Sequence, residues 1–184
     1  MNLWFRLLWL LLTARSRGHI DLPRETSVLS FRVWPHDLDI SIHMNNGRYL
    51  TLMDLGRLDT MVRSGLWRTV LKNRWTPIAS AITIRFRREL RPFQKFKLQT
   101  QLVCWDKTLV VMEQTFVIDG GPRDGQIAAR GLFKGGIYDR RERRFIEIAK
   151  LMAVLGVSET SPPPTPEVAA FLAADDQLKQ AERA

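Results

Sequence analysis

The stretch from Asp37 to Asp59, DLDISIHMNNGRYLTLMDLGRLD, does more than any other to limit what this chain can fold into. Two carboxylates, Asp37 and Asp39, precede His43, the pair Asn45 and Asn46, and Gly47, and a long helical pattern then begins. Asn is a strong N-cap residue, because its side-chain oxygen accepts an amide proton that no intrahelical carbonyl can reach. Asn45 or Asn46 is therefore expected to open the helix. The amides of the first turn, backed by the positive end of the helix dipole, favour negative charge. A carbonyl oxygen that becomes an oxyanion could rest there, near Gly47 and Arg48, facing a carboxylate from the preceding loop. That arrangement suits a hydrolase.

The helix should run from about Asn46 to Gly65, where glycine ends it. Its large apolar residues, from Tyr49 and Leu50 to Met61 and Val62, spread over most of the circumference, so the helix is expected to be wrapped by protein. Asp54 and Arg57, three residues apart, are placed to pair, and Gly56 admits close approach of another element. Ahead of the helix, Val28 to Trp34 reads as a strand closed by Pro35. Behind it, Leu66 to Trp75 reads as a short helix or turn.

Four strands follow Pro77. In the first, Ile78, Ile82, Ile84 and Phe86 share one parity against Thr83, Arg85 and Arg87, which predicts one buried and one charged face. Phe96, Leu98, Leu102 and Cys104 continue that pattern in the second, to Trp105. After a tight connection at Asp106 and Lys107, Val110, Met112, Phe116 and Ile118 mark the third. The run from Gly120 to Gly125 is a turn, and Ile127 to Tyr138 is the fourth strand.

At the Asp37–Tyr49 loop the chain resembles the hotdog-fold thioesterase superfamily, in its 4-hydroxybenzoyl-CoA thioesterase-like branch. That loop reads roughly Asp-x-Asp-x-x-Gly-His-x-Asn-Asn-x-x-Tyr, and Asp37, Asp39, His43, Asn45, Asn46 and Tyr49 stand at the matching places. The likeness is strongest to the thioesterase superfamily member 6-like group, shared also in RVWPHDLD, ELRPF and WDK, and it covers about Val28 to Tyr138. It implies an α+β hotdog fold, an antiparallel sheet wrapped around one long central helix, and the chain order of one strand, a helix and four strands agrees. It also implies an acyl-CoA substrate, no cofactor, a catalytic carboxylate at Asp39, and a homodimer or homotetramer with the thioester at a subunit interface. One position departs: Ile42 stands where most of the superfamily has Gly before the His. Glycine tolerates backbone conformations that a β-branched residue resists.

Composition bounds the rest. At 184 residues and 45% hydrophobic content, one domain with tails is the economical division: an apolar segment and linker over 1–25, a thioesterase-like domain over 26–157, and a Pro-rich linker with a tail over 158–184. Phe145 to Leu155 reads as a short apolar helix, and the Ala-rich tail from Glu167 can form another. A formal charge of +9, from 28 basic against 19 acidic residues, favours anionic partners. The clusters Arg85, Arg87, Arg88, Arg91 and Arg140, Arg141, Arg143, Arg144 are either a solvated face or a seat for the phosphates of coenzyme A. Aromatics are not interleaved with them as in RNA-binding patterns, so nucleic acid is not expected. Three His without ligand spacing and one cysteine argue against a metal centre and a disulfide framework, and fit a reducing, cytoplasmic setting.

The apolar run from Leu3 to Leu12 carries Arg6 within it and falls short of the roughly 20 residues that span a bilayer. Two readings stay open: a helix docked on the body or on a partner subunit, or a peripheral anchor at the inner membrane through residues 1–14. In the docked reading Arg6, Arg15 and Arg17 reach solvent or acidic lipid.

Asp39 is the expected catalytic group, as general base on a water or as nucleophile. His43, Asn45, Asn46, Gly47 and Arg48 are the expected substrate and oxyanion residues, with Asn45 and Asn46 also serving as caps and His43 as a strut or an acid–base group. Asp37 is expected to be structural, and Cys104 to be buried packing. No GxSxG elbow is present. The activity expected is acyl-CoA thioester hydrolysis; the alternatives are a non-catalytic acyl-CoA or lipid-binding protein of the same fold and, from the first dozen residues, a membrane-associated assembly factor.

Overall fold

A computed structural model describes residues 2–182. Helix α1 (Asn2–Thr13) leads to strand β1 (Ser27–Arg32) and a 3-10 turn at Pro35–Asp37. The long helix α2 (Asn46–Arg63) and α3 (Leu66–Asn73) follow. Strands β2 (Thr76–Phe86), β3 (Lys95–Trp105), β4 (Val110–Asp119) and β5 (Ile127–Asp139) come next, then the short β6 (Arg144–Phe145), α4 (Ile148–Val154) and α5 (Pro166–Ala181). The sheet is antiparallel in the order β1-β3-β4-β5-β2, with β6 added on β5.

The inner face of this sheet packs on α2. Leu52 and Met53 of the helix meet Leu29, Phe96, Leu98, Phe116 and Ile118 of the strands in one buried cluster. Gly56 makes the closest approach: a Cβ there would lie 2.8 Å from Gln114 Nε2 and 3.0 Å from Leu98 Cδ2. Around it Gln114 Nε2 donates to the Met53 carbonyl oxygen at 2.9 Å and to Thr100 Oγ1 at 3.0 Å, so the polar side chains buried there are satisfied. Arg57 pairs with Asp54, as its spacing predicted, and also donates to Gln114 Oε1 at 2.8 Å.

Helix α1 covers another side of α2. Leu10 is buried in the same cluster as Leu52 and Met53, with Leu3 and Leu7 packed against it. The expectation that α2 is wrapped by protein is therefore met by the sheet and α1 together; on the helix, Asn46, Gly47, Leu50 and Asp54 are exposed. Two arginines expected in solvent or lipid turn inward instead. Arg6 Nη2 lies 2.5 Å from Asp37 Oδ2 and Arg17 Nη1 lies 2.7 Å from Asp59 Oδ1, and both carboxylates are fully buried. A buried carboxylate requires a cationic partner, and these two arginines are within reach.

Strand β2 corrects the parity reading. It is an outer edge of the sheet, and none of its residues is fully buried. Ala79 pairs with Gly135 and Ala81 with Lys134, so Ser80 interrupts the register, and beyond it Ile82 and Phe86, expected on the buried face, are exposed. A similar irregularity follows Leu102 in β3. Leu102 joins the inner cluster with Met112 and Phe133, whereas Cys104 packs with Val111, Leu132 and Val168 under α5 on the outer face. Cys104 is buried as expected, on the opposite side from the one its parity indicated. At Phe145 a second short strand pair with Tyr138 takes the place of helix, which starts only at Ile148.

Thr165 caps α5 by accepting from the Val168 amide, and Pro166 fits its first turn. Asp175 of α5 meets Lys134 of β5 at 2.9 Å with both side chains buried. Among the described residues no helix is long and apolar enough to cross a membrane.

Candidate active site

Three local devices build the loop between the 3-10 turn and α2. Asp37 Oδ2 accepts from the Trp34 amide at 2.9 Å and holds the turn shut. Asp39 and His43 close the next turn, the Asp39 amide donating to the His43 carbonyl oxygen at 3.0 Å and the Ile42 amide to the Asp39 carbonyl oxygen at 3.1 Å. The Met44 amide then donates to the Leu90 carbonyl oxygen at 2.9 Å, which ties the loop to the segment after β2. Ile42 takes φ 58°, in the left-handed region that suits glycine and strains a β-branched residue.

The two aspartates part company here. Asp37 is fully buried among Arg6, Arg48 and the Trp34 amide, so it is the structural carboxylate expected. Asp39 keeps 23% of its side chain exposed. Its Oδ1 accepts from the Ser41 amide at 2.9 Å and its Oδ2 faces His43 Nδ1 at 3.5 Å.

Asn45 is the N-cap of α2, accepting from the Gly47 amide at 2.8 Å. Asn46 is the first helical residue. The Arg48 amide donates to the Asn45 carbonyl oxygen at 2.9 Å, so both amides assigned to the oxyanion are already engaged by Asn45. Arg48's guanidinium turns back, donating to the His36 carbonyl oxygen at 3.1 Å and lying 3.6 Å from Asp37. It braces the turn rather than facing the cleft.

His43, Asn46, Tyr49, Phe86, Arg87 and Glu89 line a cleft of about 260 Å³ at this end of α2. Tyr49, read only as a motif residue in the sequence, forms its floor. The ring is buried edge-to-face against Phe86 and Phe116, at 5.0 and 4.9 Å, and burial pushes its hydroxyl up to about 12. A second, apolar cavity of about 120 Å³ lies farther along α2, lined by Arg57, Thr60, Leu102, Met112, Phe133 and Met152 among others. Nothing in the strand periodicity announced it, because it is left where α2, α3, α4 and the sheet fail to meet. Among the described residues no group of three or more His, Cys, Asp or Glu is placed to hold a metal ion.

The model of the thioesterase-like superfamily matches residues 33–172. The chain is similar to the Protein THEM6 of Xenopus laevis, 41% identical over 97 residues, 53% of this chain and 46% of that protein. It is also similar to the Protein THEM6 of Danio rerio, 35% identical over 148 residues, 79% of this chain and 72% of that protein. The chain thus spans about half the length of the first relative and nearly three quarters of the second. Among solved structures, a 4-hydroxybenzoyl CoA thioesterase mutant complexed with 4-hydroxybenzoyl CoA superposes with a TM-score of 0.64 at 17% identity, over 71% of this chain and 98% of the other. At that identity the likeness establishes the hotdog fold. Since the family match runs from the end of β1 through the first turns of α5 and takes in the whole candidate site, the chain belongs to the thioesterase-like superfamily.

Proposed function

We propose that this protein is an acyl-CoA thioesterase that hydrolyses a fatty or aromatic acyl thioester without a cofactor. Water adds to the thioester carbonyl, the carbon–sulfur bond breaks, and a carboxylic acid and free coenzyme A leave. The observation that carries the reading is the position of Asp39, open to solvent on the loop before α2 while its neighbour Asp37 is buried and neutralised. Asp39 either takes the proton from the attacking water or attacks the carbonyl itself to give an anhydride that water then opens. His43, 3.5 Å away, orients that carboxylate. Release of the Gly47 amide by rotation of the Asn45 side chain gives the oxyanion a donor at the positive end of α2.

Arg87, on the rim of the same cleft, is the arginine of its cluster best placed for a coenzyme A phosphate. Arg88 and Arg91 are occupied, by the Ile127 carbonyl oxygen and by Glu89. The open edge of β2, with Ile82 and Phe86 exposed, supports assembly with a second subunit that completes the site.

A second reading, a non-catalytic acyl-CoA binder, draws on Ile42 in the left-handed region and on the engaged Gly47 and Arg48 amides. Thiol release from a panel of acyl-CoAs by the wild-type protein and Asp39→Asn separates the two. Turnover by the first and at least a ~100-fold loss in the second is expected for hydrolysis through a positioned carboxylate. Binding of acyl-CoA by both with thiol release by neither would establish the binder.

A further inference from the structure

Helix α1 has two faces with different fates. Leu3, Leu7, Leu10 and Ala14 repeat at helical spacing and pack inward, with Arg6 beside them. The opposite face shows Trp4 at 73%, Phe5 at 74% and Trp9 at 70% exposure, with Leu8 and Leu12 also exposed between and beyond them. Isolated apolar residues on a surface need no explanation, but a contiguous patch of this kind marks an interaction site.

The patch is held rigidly. Arg6 ties the first half of α1 to Asp37, and Arg17, just beyond its end, is tied to Asp59. Arg63 fixes the exit from the helix by donating to the carbonyl oxygens of Arg17 at 2.7 Å and Gly18 at 2.8 Å. The outward face is therefore displayed by a docked helix. Beside it, Trp34 and Phe93 form a second exposed aromatic pair, with ring centroids 6.2 Å apart. The Trp34 amide and the Arg6 guanidinium meet on the same oxygen of Asp37, two residues before Asp39.

We propose that the outward face of α1 seats the protein on an anionic lipid bilayer, the helix lying in the plane of the interface. Tryptophan and phenylalanine on one face of a helix, with arginine at its margin, suit the boundary between headgroups and acyl chains. Charge selects the lipid over a second copy of the chain. Arg15 is exposed at the end of α1 and Arg32 is exposed where its carbonyl oxygen accepts from Arg6. No acidic residue occurs from Asn2 to Ile20, and the whole chain carries +9. A second copy on the same face would bring a second set of arginines and no acidic residue of α1 to meet them, whereas anionic headgroups complement them.

Co-sedimentation of the full chain at low salt with phosphatidylcholine vesicles, with and without phosphatidylserine, tests the proposal. The wild-type protein is expected to pellet with the vesicles that contain phosphatidylserine. The double variant Trp4→Ser, Trp9→Ser, in which both replaced side chains are exposed, is expected to keep its circular dichroism spectrum and melting temperature. Its partitioning should fall at least ~10-fold, and Arg15→Glu should weaken binding to phosphatidylserine vesicles selectively. A wild-type protein that stays in the supernatant overturns the proposal, as does full binding by both variants. Absence of vesicle binding together with a smaller assembly for the double variant in size-exclusion chromatography would make the face an interface between copies.

Discussion

Asp37 and Asp39 stand two residues apart in one loop, yet Arg6 closes on the buried carboxylate of Asp37 at 2.5 Å while Asp39 stays open to solvent beside His43. The same substitution should therefore have unequal consequences for stability at the two sites. Asp37→Asn leaves the guanidinium of Arg6 buried without its counter-charge and removes the partner of Arg48, so it should lower unfolding free energy by about 3 kcal/mol. Asp39→Asn retains an oxygen for the Ser41 amide and should change stability by less than about 0.5 kcal/mol. Chemical denaturation of both variants checks this, and equal losses would mean that the two carboxylates are not divided between structure and chemistry.

Ile42 is 68% exposed and has φ 58°. Its side chain contributes little burial there, and the left-handed conformation costs a β-branched residue about 1–2 kcal/mol. Glycine removes that strain at an entropic cost of roughly 0.5–1 kcal/mol. Strain is the larger effect, so Ile42→Gly is expected to raise the melting temperature slightly rather than lower it, with thiol release equal to or above wild type. A lower melting temperature would show that the loop relies on the Ile42 side chain.

Gly56 gives the opposite result for the opposite exchange. Alanine in a helix interior gains up to about 1 kcal/mol over glycine. Here its Cβ would press on Thr100, Gln114 and Leu98, whose side chains are buried and, for the first two, hydrogen-bonded to each other. Overpacking of that kind costs about 1–3 kcal/mol and exceeds the propensity gain. Gly56→Ala should be destabilising in urea titration, and a stabilised protein would mean that the strand beneath gives way freely.

The long helix, the loop with its cap, and the strands were legible because each rests on local chemistry: Asn45 as a cap, a tight approach at Gly56, alternation in β3. What local pattern does not carry is long-range pairing. That Arg6 serves Asp37, 31 residues away, and that Arg17 serves Asp59 follows only once α1 lies on α2. The register irregularities at Ser80 and after Leu102 have no signature in the parity of the residues around them, and the second decides on which face Cys104 packs. For the site, the positions of Asp39, His43 and Asn45 were readable. The inward turn of Arg48 was not, since it depends on the 3-10 turn at Pro35–Asp37.

Helix α5 should come off the sheet in acid before the sheet itself opens. Asp175 accepts from Lys179 and Lys134 at 2.7 and 2.9 Å, and these two contacts, against the opposing effect of burial, hold its carboxyl below the ordinary value of 3.8. A carboxyl with a lowered value in the folded state contributes its full stabilisation above 3.8, loses it as the pH falls below that point, and contributes nothing once protonated in both states. Protonation also leaves the Lys134 ammonium buried with no counter-charge. At neutral pH Asp175→Asn should reproduce the acid state, weakening the docking of α5 by about 2 kcal/mol, below the full cost of breaking a buried pair because Lys179 is partly in water. Amide hydrogen exchange reads this directly: residues 166–181 should lose protection in the variant, and in the wild type on acidification, while β4 and β5 keep theirs. Unchanged protection of α5 in Asp175→Asn would show that Val168, Phe171 and Leu172 hold the helix without the ion pair.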